Sequence, residues 1–276
     1  MSVLASVIGM PISHSLSPAI HTAAFIASGR VGEYSATECS SEKLEGTLRS
    51  LREGGVVGVS VTMPLKEDVM KFVDQLSSDA SFLRAVNCIS FTPLGSIGHN
   101  TDGDGCCDAL EQQGHVDLAG ARVVVLGAGG TARSVSLALV RRGAHVVVVN
   151  RTVSRSKELV LAISALGLTG TIESGTETSV TDASVLINAT SVGMNSEECP
   201  VSASVLHSGL TVLDAVYSPM ETELLRISRD RGATAIDGLW MLIHQARHQQ
   251  KLWFNEFPDA MPMRLAAERE LSARRK

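Results

Sequence analysis

Residues 122–150, RVVVLGAGGTARSVSLALVRRGAHVVVVN, constrain the fold of this chain more than any other segment. Two valine-rich runs bracket an alanine-rich segment, and the turn after the first run has the spacing G-x-G-x-x-A, with Gly127, Gly129 and Ala132. This pattern indicates a βαβ unit with parallel strands. Gly127 permits a tight turn, Gly129 lets the backbone approach a pyrophosphate, and Ala132 allows close helix packing. The segment predicts a dinucleotide-binding domain, the alternative being a tight turn without a ligand.

The end of the second valine-rich run indicates which dinucleotide is bound. NAD-binding sites usually place an acidic side chain there, on the ribose 2′-hydroxyl. This chain has Asn150, Arg151 and Thr152, with Arg155 a helical turn further on. A guanidinium suits a 2′-phosphate because it can donate paired hydrogen bonds to it. The residues therefore favour NADP, although either arginine could instead be a solvated surface residue, Arg155 more readily than Arg151.

Strand and helix patterns also alternate in the rest of the chain. A short apolar run ends at Gly9, and Ser17 with Pro18 indicates a helix with Ser17 as its N-cap. The segment GVVGVSVTMP predicts a second strand, and residues 65–76, LKEDVMKFVDQL, have helical spacing. We therefore expect a parallel sheet with helical crossovers in this part as well. Further downstream, ASVLINAT and LTVLDAVY predict strands and GLWMLIHQARHQQKLWF predicts a helix.

Length and composition restrict the class of protein. A chain of 276 residues with 44% hydrophobic and 19% charged residues is typical of two globular domains. The net charge of −5 includes no basic stripe, so a nucleic-acid partner is not expected. No apolar run approaches the ~20 residues that span a bilayer, and the N-terminus does not have the pattern of a signal peptide. Five scattered cysteines without a C-x-x-C pair favour a reducing cytoplasm.

A second glycine-rich segment, GHNTDGDG at residues 98–105, lies a short distance before the βαβ unit. Its acidic and amide side chains alternate with glycines, which predicts a loop, and we expect a domain boundary near residue 104. A second boundary is expected near Gly238, before the final helices. His14, His21 and His99 do not have the spacing of a closed ligand set, so no metal is expected.

Several motifs in one order resemble the shikimate dehydrogenase family over essentially the whole chain. They are PISHSLSPAIH (11–21), VSVTMPLK (59–66), AVN (85–87), GHNTDGDG (98–105), GAGGTAR (127–133), NRT (150–152), NATSVGM (188–194), DAVYSPMET (214–222) and DGLWMLIHQA (237–246). The resemblance implies an α/β protein of two domains with the site in the cleft. Residues 1–104 and 238–276 would form the substrate domain, and residues 105–237 an inserted Rossmann-type NADP domain.

The resemblance also assigns the cofactor-binding residues. Most belong to the glycine turn and to the end of the following strand, and two belong to later motifs. They are Gly127, Ala128, Gly129, Gly130, Thr131, Ala132, Asn150, Arg151, Thr152, Arg155, Thr190 and Gly238.

Lys66 and Asp102 resemble the family's catalytic lysine and aspartate. Reduction of a ring ketone by a hydride leaves charge on the oxygen, which an ammonium can stabilise and protonate. A neighbouring carboxylate would orient that ammonium and favour its charged form. The implied activity is that of an NADP-dependent oxidoreductase acting on a CH–OH group, in the shikimate pathway of aromatic amino-acid biosynthesis.

The substrate residues follow from the same resemblance. Ser15 and Ser17 would bind the substrate carboxylate with help from Tyr217, while Thr62, Asn87 and Gln245 would hold ring hydroxyls. Ser15 and Ser17 could instead cap a helix, and Gln245 could be a core amide. The family usually has asparagine where this chain has Ser60, whose shorter side chain offers fewer hydrogen-bonding groups. Contact between Ser60 and a ring hydroxyl is therefore an open question.

Two other functions remain as alternatives. A relative that acts on quinate or aminoshikimate would share most of these motifs, although HSLS and NRT favour the shikimate and NADP type. A non-catalytic NADP-sensing protein would not need Lys66 and Asp102 together with the substrate residues. We expect a small-molecule substrate, no nucleic-acid or membrane partner, a cytoplasmic location, and a monomer or homodimer.

Overall fold

A computed structural model of the chain describes residues 3–274. The strands and helices from Val3 to Gln113 are β1 (Val3–Gly9), α1 (Ser17–Ala27), β2 (Gly32–Glu38), α2 (Leu44–Glu53), β3 (Val56–Val61), β4 (Gln75–Leu76), α3 (Ser78–Leu83), β5 (Cys88–Thr92), β6 (Gly95–His99) and α4 (Asp102–Gln113). The remaining elements are β7 (Arg122–Leu126), α5 (Gly130–Arg141), β8 (His145–Val149), α6 (Val153–Ser164), β9 (Thr171–Ser174), β10 (Val185–Asn188), β11 (Thr211–Asp214), α7 (Glu223–Asp230), β12 (Thr234–Ile236), α8 (Gly238–Phe254) and α9 (Ala260–Ala273).

The chain forms two compact units. One contains the residues up to Thr101 and those from Gln245 onward, and the other contains Asp102–His244. Both ends of the chain therefore contribute to the first unit, and the second is continuous in sequence. Each unit has its own sheet, with helices following most strands. The predicted α/β fold class is confirmed.

The sheet of the first unit has the strand order β2-β1-β3-β5-β6-β4. Strands β1 and β3 are parallel as predicted, and β2, which was not predicted, is parallel to β1. Strand β5 is antiparallel to both β3 and β6. The prediction of a wholly parallel sheet is therefore wrong here. Strands β5 and β6 form a hairpin, in which the Thr92 hydroxyl donates to the Gly95 carbonyl at 2.9 Å and Gly95 has a φ of 133° that favours glycine.

The helix predicted over residues 65–76 is also wrong. The segment contains a short 3-10 helix, Asp68–Phe72, followed by β4, which pairs with β6. The Asp74 carboxylate accepts the Ser96 N–H at 2.6 Å and the Ser96 hydroxyl at 2.8 Å. These bonds hold the segment against β6, so tertiary contacts override the local helical spacing.

The first helix begins differently from the prediction. Its N-cap is Leu16, which makes no side-chain cap, and Ser17 is its first residue, so Ser17 is not the N-cap. The Ser15 hydroxyl instead accepts the Ser17 N–H at 3.2 Å. Pro18 has no N–H to donate, so the first turn of the helix has one donor fewer to satisfy. Ser15 thus shapes the turn that precedes α1.

The sheet of the second unit is parallel throughout, in the order β12-β11-β10-β7-β8-β9. Counted along the unit, this is the order 3-2-1-4-5-6 of dinucleotide-binding sheets, whose ligands lie where the order reverses. The central residues of β7 and β8 and all of β10 are buried, which explains their continuous apolar runs. The βαβ unit predicted from residues 122–150 is present.

The loop predicted at residues 98–105 is partly wrong, because α4 begins at Asp102. A Cβ added to Gly103 would overlap the backbone carbonyl of Ser134 and the methyl group of Ala138. The glycine therefore serves close packing of α4 against α5, a requirement that local sequence does not reveal. Asp102 and Asp104 lie in the first turn of α4, where negative charge is favourable to the helix dipole.

The structure also describes the lengths of the helices and the state of the cysteines. Within residues 3–274, no helix has both the length and the apolar character needed to cross a membrane. The five cysteines are free thiols, and four of them are buried.

Candidate active site

Most of the predicted substrate residues of the first unit lie at one end of its strands. Strands β1 and β3 end there, and β5 begins there because it runs antiparallel to β3. The Val61 N–H donates to the Asn87 carbonyl at 2.8 Å, and the Asn87 N–H donates to the His99 carbonyl at 3.0 Å. The ends of β3 and β6 thus fix the backbone of Asn87.

A buried cluster of side chains surrounds Asn87. Its Nδ2 donates to Thr101 Oγ1 at 2.9 Å and to Gln245 Oε1 at 3.2 Å, while its Oδ1 accepts the Thr101 N–H at 2.8 Å. Gln245 reaches the cluster from α8. Buried amides are costly unless they are hydrogen-bonded, and this cluster provides partners for both. The structure therefore brings together two of the predicted substrate residues, Asn87 and Gln245.

Ser60 lies next to this cluster and is 5% exposed. Its hydroxyl accepts from the Tyr34 hydroxyl at 2.6 Å and donates to Gln249 Oε1. Burial raises the pKa of Tyr34, although hydrogen bonds with Ser60 and Ser17 oppose that effect. Tyr34 is therefore a neutral donor. The single proton of the Ser60 hydroxyl is used within the protein, which leaves a lone pair as the group it can offer to a substrate.

His21 supports Tyr34 from α1. The two rings stack with centroids 4.3 Å apart, and Gln250 Nε2 lies 2.8 Å from His21 Nδ1. Burial lowers the pKa of His21 to about 3, so the ring is neutral at physiological pH. Within residues 3–274, no three His, Cys, Asp or Glu side chains are grouped so that they could hold a metal ion.

The turn that carries Ser15 and Ser17 is held by the C-terminal helix. The Arg274 guanidinium donates to the His14 carbonyl at 2.7 Å and to the Ser15 carbonyl at 3.1 Å. Ser15 and Ser17 are both partly exposed. Both remain predicted as substrate-carboxylate residues.

Lys66 and Thr62 lie on the segment that follows β3. The Thr62 N–H donates to the Ile8 carbonyl at 3.0 Å, and the Val86 N–H donates to the Lys66 carbonyl at 2.8 Å. A Cβ at Gly9 would overlap the Thr62 side chain, so glycine is required at the end of β1. The bond from Val86 fixes the backbone of Lys66 beside the residue that precedes Asn87. Asp102, the other predicted catalytic residue, belongs to the second unit.

The glycine turn of the second unit has the geometry of a phosphate-binding turn. Gly127 has a φ of 109°, which favours glycine, and Gly129 is the N-cap of α5. A Cβ at Gly129 or Gly130 would meet nothing within 4 Å, and both residues are exposed. Ala128 and Thr131 are partly buried, and Ala132 is fully buried. An open helix N-terminus of this kind fits a pyrophosphate.

The end of β8 carries the predicted 2′-phosphate residues. Asn150 Nδ2 donates to the Thr152 carbonyl at 2.8 Å, which closes the turn before α6. Arg151, Thr152 and Arg155 are exposed. In the described part of the chain, neither guanidinium has a carboxylate partner. Both cations are therefore available to an anion, and the donor set fits NADP.

A second buried cluster joins the ends of β10 and β11. The Asp214 carboxylate accepts from Asn188 at 2.8 Å, from the Val216 N–H at 3.0 Å and from Thr222 at 2.7 Å. The Thr190 hydroxyl donates to Asn188 Oδ1 at 2.7 Å. Burial raises the pKa of Asp214, and its hydrogen bonds act in the opposite direction.

Two more predicted site residues lie beside this cluster. A Cβ at Gly238 would overlap the carbonyls of Asp214 and Ala215, so the start of α8 must be a glycine. Tyr217 follows β11 and is partly exposed. The cluster thus holds the segments that carry Thr190, Tyr217 and Gly238.

Comparison with known proteins accounts for both units. Residues 7–89 match the family model for the shikimate dehydrogenase substrate-binding domain, and residues 109–198 match the model for shikimate/quinate 5-dehydrogenase. The chain belongs to the shikimate dehydrogenase family. A relative from Methanosarcina mazei, named shikimate dehydrogenase (NADP⁺), is 43% identical over 99% of both chains. The family predicted from the motifs is confirmed.

Solved structures of other proteins share the fold of this chain. Shikimate 5-dehydrogenase from Thermus thermophilus, in complex with NADP(H) and shikimate, is 34% identical, has a TM-score of 0.88 and matches 97% of this chain and 99% of its own. A 5-ketofructose reductase from Gluconobacter is 28% identical, has a TM-score of 0.90 and matches 98% of this chain and 99% of its own. The same fold therefore accommodates different substrates, and the substrate must be argued from side chains.

Three residues of the first unit's cluster were not singled out from the sequence. Thr101 lies within the quoted motif GHNTDGDG, and Gln249 lies one helical turn after Gln245. The spacing of two glutamines on one face of α8 was a usable signal. Tyr34 had no such signal, because β2 is a short strand without a distinctive motif.

Proposed function

We propose that this protein is an NADP-dependent shikimate dehydrogenase that reversibly reduces 3-dehydroshikimate to shikimate. The observation that carries the proposal is the buried cluster of hydroxyls and amides at the edge of β3 and β5, which adjoins the Lys66 segment. Neutral donors and acceptors suit ring hydroxyls, and a lysine suits a carbonyl that becomes an alcohol. The relatives from M. mazei and T. thermophilus support the same substrate and cofactor.

Lys66 is proposed to act on the reacting oxygen. Its ammonium stabilises negative charge on that oxygen and gives it a proton during reduction, and its amine takes the proton back during oxidation. Asp102 is proposed as the second catalytic residue, by its position in the family's motif. Thr62, Asn87 and Gln245 are proposed to hold ring hydroxyls, while Ser15, Ser17 and Tyr217 bind the carboxylate.

The second unit is proposed to bind NADP. The N–H groups of Gly129 and Gly130 at the exposed start of α5 would hold the pyrophosphate, and Arg151 with Arg155 would hold the 2′-phosphate. Gly127, Ala128, Thr131 and Ala132 would shape the turn. Asn150, Thr152, Thr190 and Gly238 would complete the site. Bound NADPH supplies the hydride for ketone reduction.

A panel of initial rates tests this function. Shikimate, quinate and aminoshikimate are each assayed with NADP and with NAD at one ionic strength. We expect shikimate with NADP to give the highest kcat/KM. A higher kcat/KM for quinate or aminoshikimate would establish the alternative enzyme, and no turnover with any pair would support a non-catalytic NADP-sensing protein.

Replacement of Ser60 tests whether its hydroxyl contributes to substrate binding. We expect Ser60→Ala to raise the shikimate KM about fivefold with little change in kcat, since one hydrogen bond contributes about 1 kcal/mol. Steady-state kinetics with saturating NADP measure both constants. Ser35→Ala is a suitable control, because Ser35 is a serine of the same sheet that bonds to Ser6 instead. An unchanged KM in Ser60→Ala means that Ser60 merely lines the pocket.

The cellular setting follows from the reaction. We infer a role in the shikimate pathway, which leads to chorismate and the aromatic amino acids. A cytoplasmic location, a monomer or homodimer, and the absence of nucleic-acid or membrane partners are proposed with it. Sedimentation analysis of the purified chain determines the oligomeric state.

A further inference from the structure

The buried face of α8 carries two glutamines one turn apart, and the role of the second is not explained by helix packing. Gln245 and Gln249 are 8% and 2% exposed. An apolar side chain would fill the Gln249 position without the cost of desolvating an amide. The partners of Gln249 indicate what its amide does.

The orientation of every amide in the cluster follows from one backbone group. The Thr101 N–H donates to Asn87 Oδ1, so Asn87 Nδ2 must be the atom that faces Gln245. Because Nδ2 is a donor, the facing atom of Gln245 is its oxygen, Oε1. Gln249 Nε2 then donates to the same oxygen at 2.8 Å.

The remaining contacts of Gln249 agree with this assignment of amide oxygen and nitrogen atoms. Its Nε2 also donates to the Asn87 carbonyl at 3.3 Å, and its Oε1 accepts from Ser60. If the amide of Gln249 were turned over, its oxygen would face two acceptors. The amide therefore has one allowed orientation. Since Ser60 donates to Gln249, the Tyr34 hydroxyl must donate to Ser60, as the 2.6 Å contact indicates.

We propose that Gln249 is a positioning residue for substrate recognition, which together with Asn87 holds the amide of Gln245 in one orientation and which also holds the Ser60 hydroxyl. With Gln245 Oε1 engaged by Gln249 and Asn87, its Nε2 has a fixed direction. A donor with a fixed direction distinguishes a ring hydroxyl from its absence better than one that can turn over. This inference rests on the proposed function, in which Gln245 holds a ring hydroxyl.

The chain offers a matched control one residue away. Gln250 is also a glutamine of α8, is 3% exposed, and bonds to His21 rather than to a predicted substrate residue. Gln249→Met and Gln250→Met remove the same amide, keep a similar volume and leave a buried partner without its hydrogen bond. Both variants should therefore lose thermal stability, and only the first should change the preference among substrates.

The experiment compares wild type, Gln249→Met and Gln250→Met with NADP and with two kinds of substrate. One is shikimate, and the other is a set of shikimate analogues that each lack one non-reacting ring hydroxyl. We expect Gln249→Met to raise the shikimate KM about five- to tenfold, with kcat within threefold of wild type and an unchanged KM for NADP. Its preference for shikimate over one of the analogues should fall by a similar factor. Gln250→Met, which reaches Ser60 only through His21 and Tyr34, should raise the KM less than Gln249→Met does and should retain the wild-type preference.

Three results would decide against the positioning role. They are an unchanged KM in folded Gln249→Met, an equal rise in Gln250→Met, and a rise in KM without any change in preference among the analogues. If Gln249→Met does not fold, Tyr34→Phe carries the test, because it removes the hydroxyl that donates to Ser60. We then expect a two- to fivefold rise in the shikimate KM, and an unchanged KM overturns the proposal. A wild-type enzyme that does not oxidise shikimate would instead refute the proposed function.

Discussion

Lys66→Ala is expected to lower kcat by at least about 100-fold while it changes the shikimate KM much less. The reason is that the ammonium acts on charge that develops mainly in the transition state, so its removal affects the chemical step more than ground-state binding. Steady-state kinetics in both directions, with NADP and NADPH, measure the effect.

Two variants make the result specific. Lys71→Ala removes a lysine of the same segment that is exposed and paired with Asp68, and it should retain wild-type turnover. Lys66→Arg keeps the positive charge but hardly exchanges its proton at neutral pH, so it should recover little of the lost rate. Unchanged turnover in a folded Lys66→Ala variant would remove Lys66 from the mechanism.

The second large effect concerns the cofactor. Wild type should favour NADP over NAD in kcat/KM, and Arg151→Ala should reduce that preference about ten- to a hundredfold. A charge-assisted hydrogen bond contributes roughly 1.5 to 3 kcal/mol, which corresponds to that factor. The kinetics with NAD should hardly change, since NAD has no 2′-phosphate. Both cofactors are measured at one ionic strength, because exposed charges are screened by salt.

Neighbouring arginines provide the comparison. Arg155→Ala should have the same effect in weaker form, because Arg155 lies further along α6. Arg122→Ala removes an arginine at the start of β7 that pairs with Glu173, and it should alter neither cofactor's kinetics. A wild type that prefers NAD, or equal damage to both cofactors in Arg151→Ala, would mean that Arg151 has a structural role.

The second unit was more predictable from sequence than the first. Its parallel strands are buried on both faces and therefore appear as continuous valine runs, such as β7 and β8. The first unit contains β4 and the β5–β6 hairpin, whose position depends on contacts such as Asp74 with Ser96. Likewise, the helical start at Asp102 depends on the packing of Gly103 against α5. Such contacts have no local signature.

The candidate site likewise contains residues that a local motif identifies and residues that only tertiary contacts reveal. Ser60, Asn87 and Gln245 were predicted from motifs, and the structure places them in one network. Tyr34, Thr101 and Gln249 complete that network, and the bond between Ser60 and Gln249 joins positions 189 residues apart. A motif identifies residues that share a segment, whereas a hydrogen-bond partner from a distant helix becomes evident only when the chain is folded.

That long separation has a consequence for the order in which the protein acquires structure. During synthesis, β3 and β5 emerge early, yet Gln245, Gln249 and Trp253 emerge only after the whole second unit has been made. Trp253 packs where a side chain at Gly58 would otherwise lie, and its indole N–H donates to the Ile89 carbonyl at 3.0 Å.

The continuous second unit can fold as soon as it leaves the ribosome, because domains generally fold as units from the N-terminal side. Pulsed hydrogen exchange during refolding of the full chain is expected to protect β7 and β8 before β3 and β5, since non-local contacts form more slowly. Earlier protection of β3 would contradict this order. In the expected order, the substrate-recognition residues are the last part of the nascent protein to become ordered. A newly made chain would therefore fold its cofactor-binding unit before it acquires its substrate specificity.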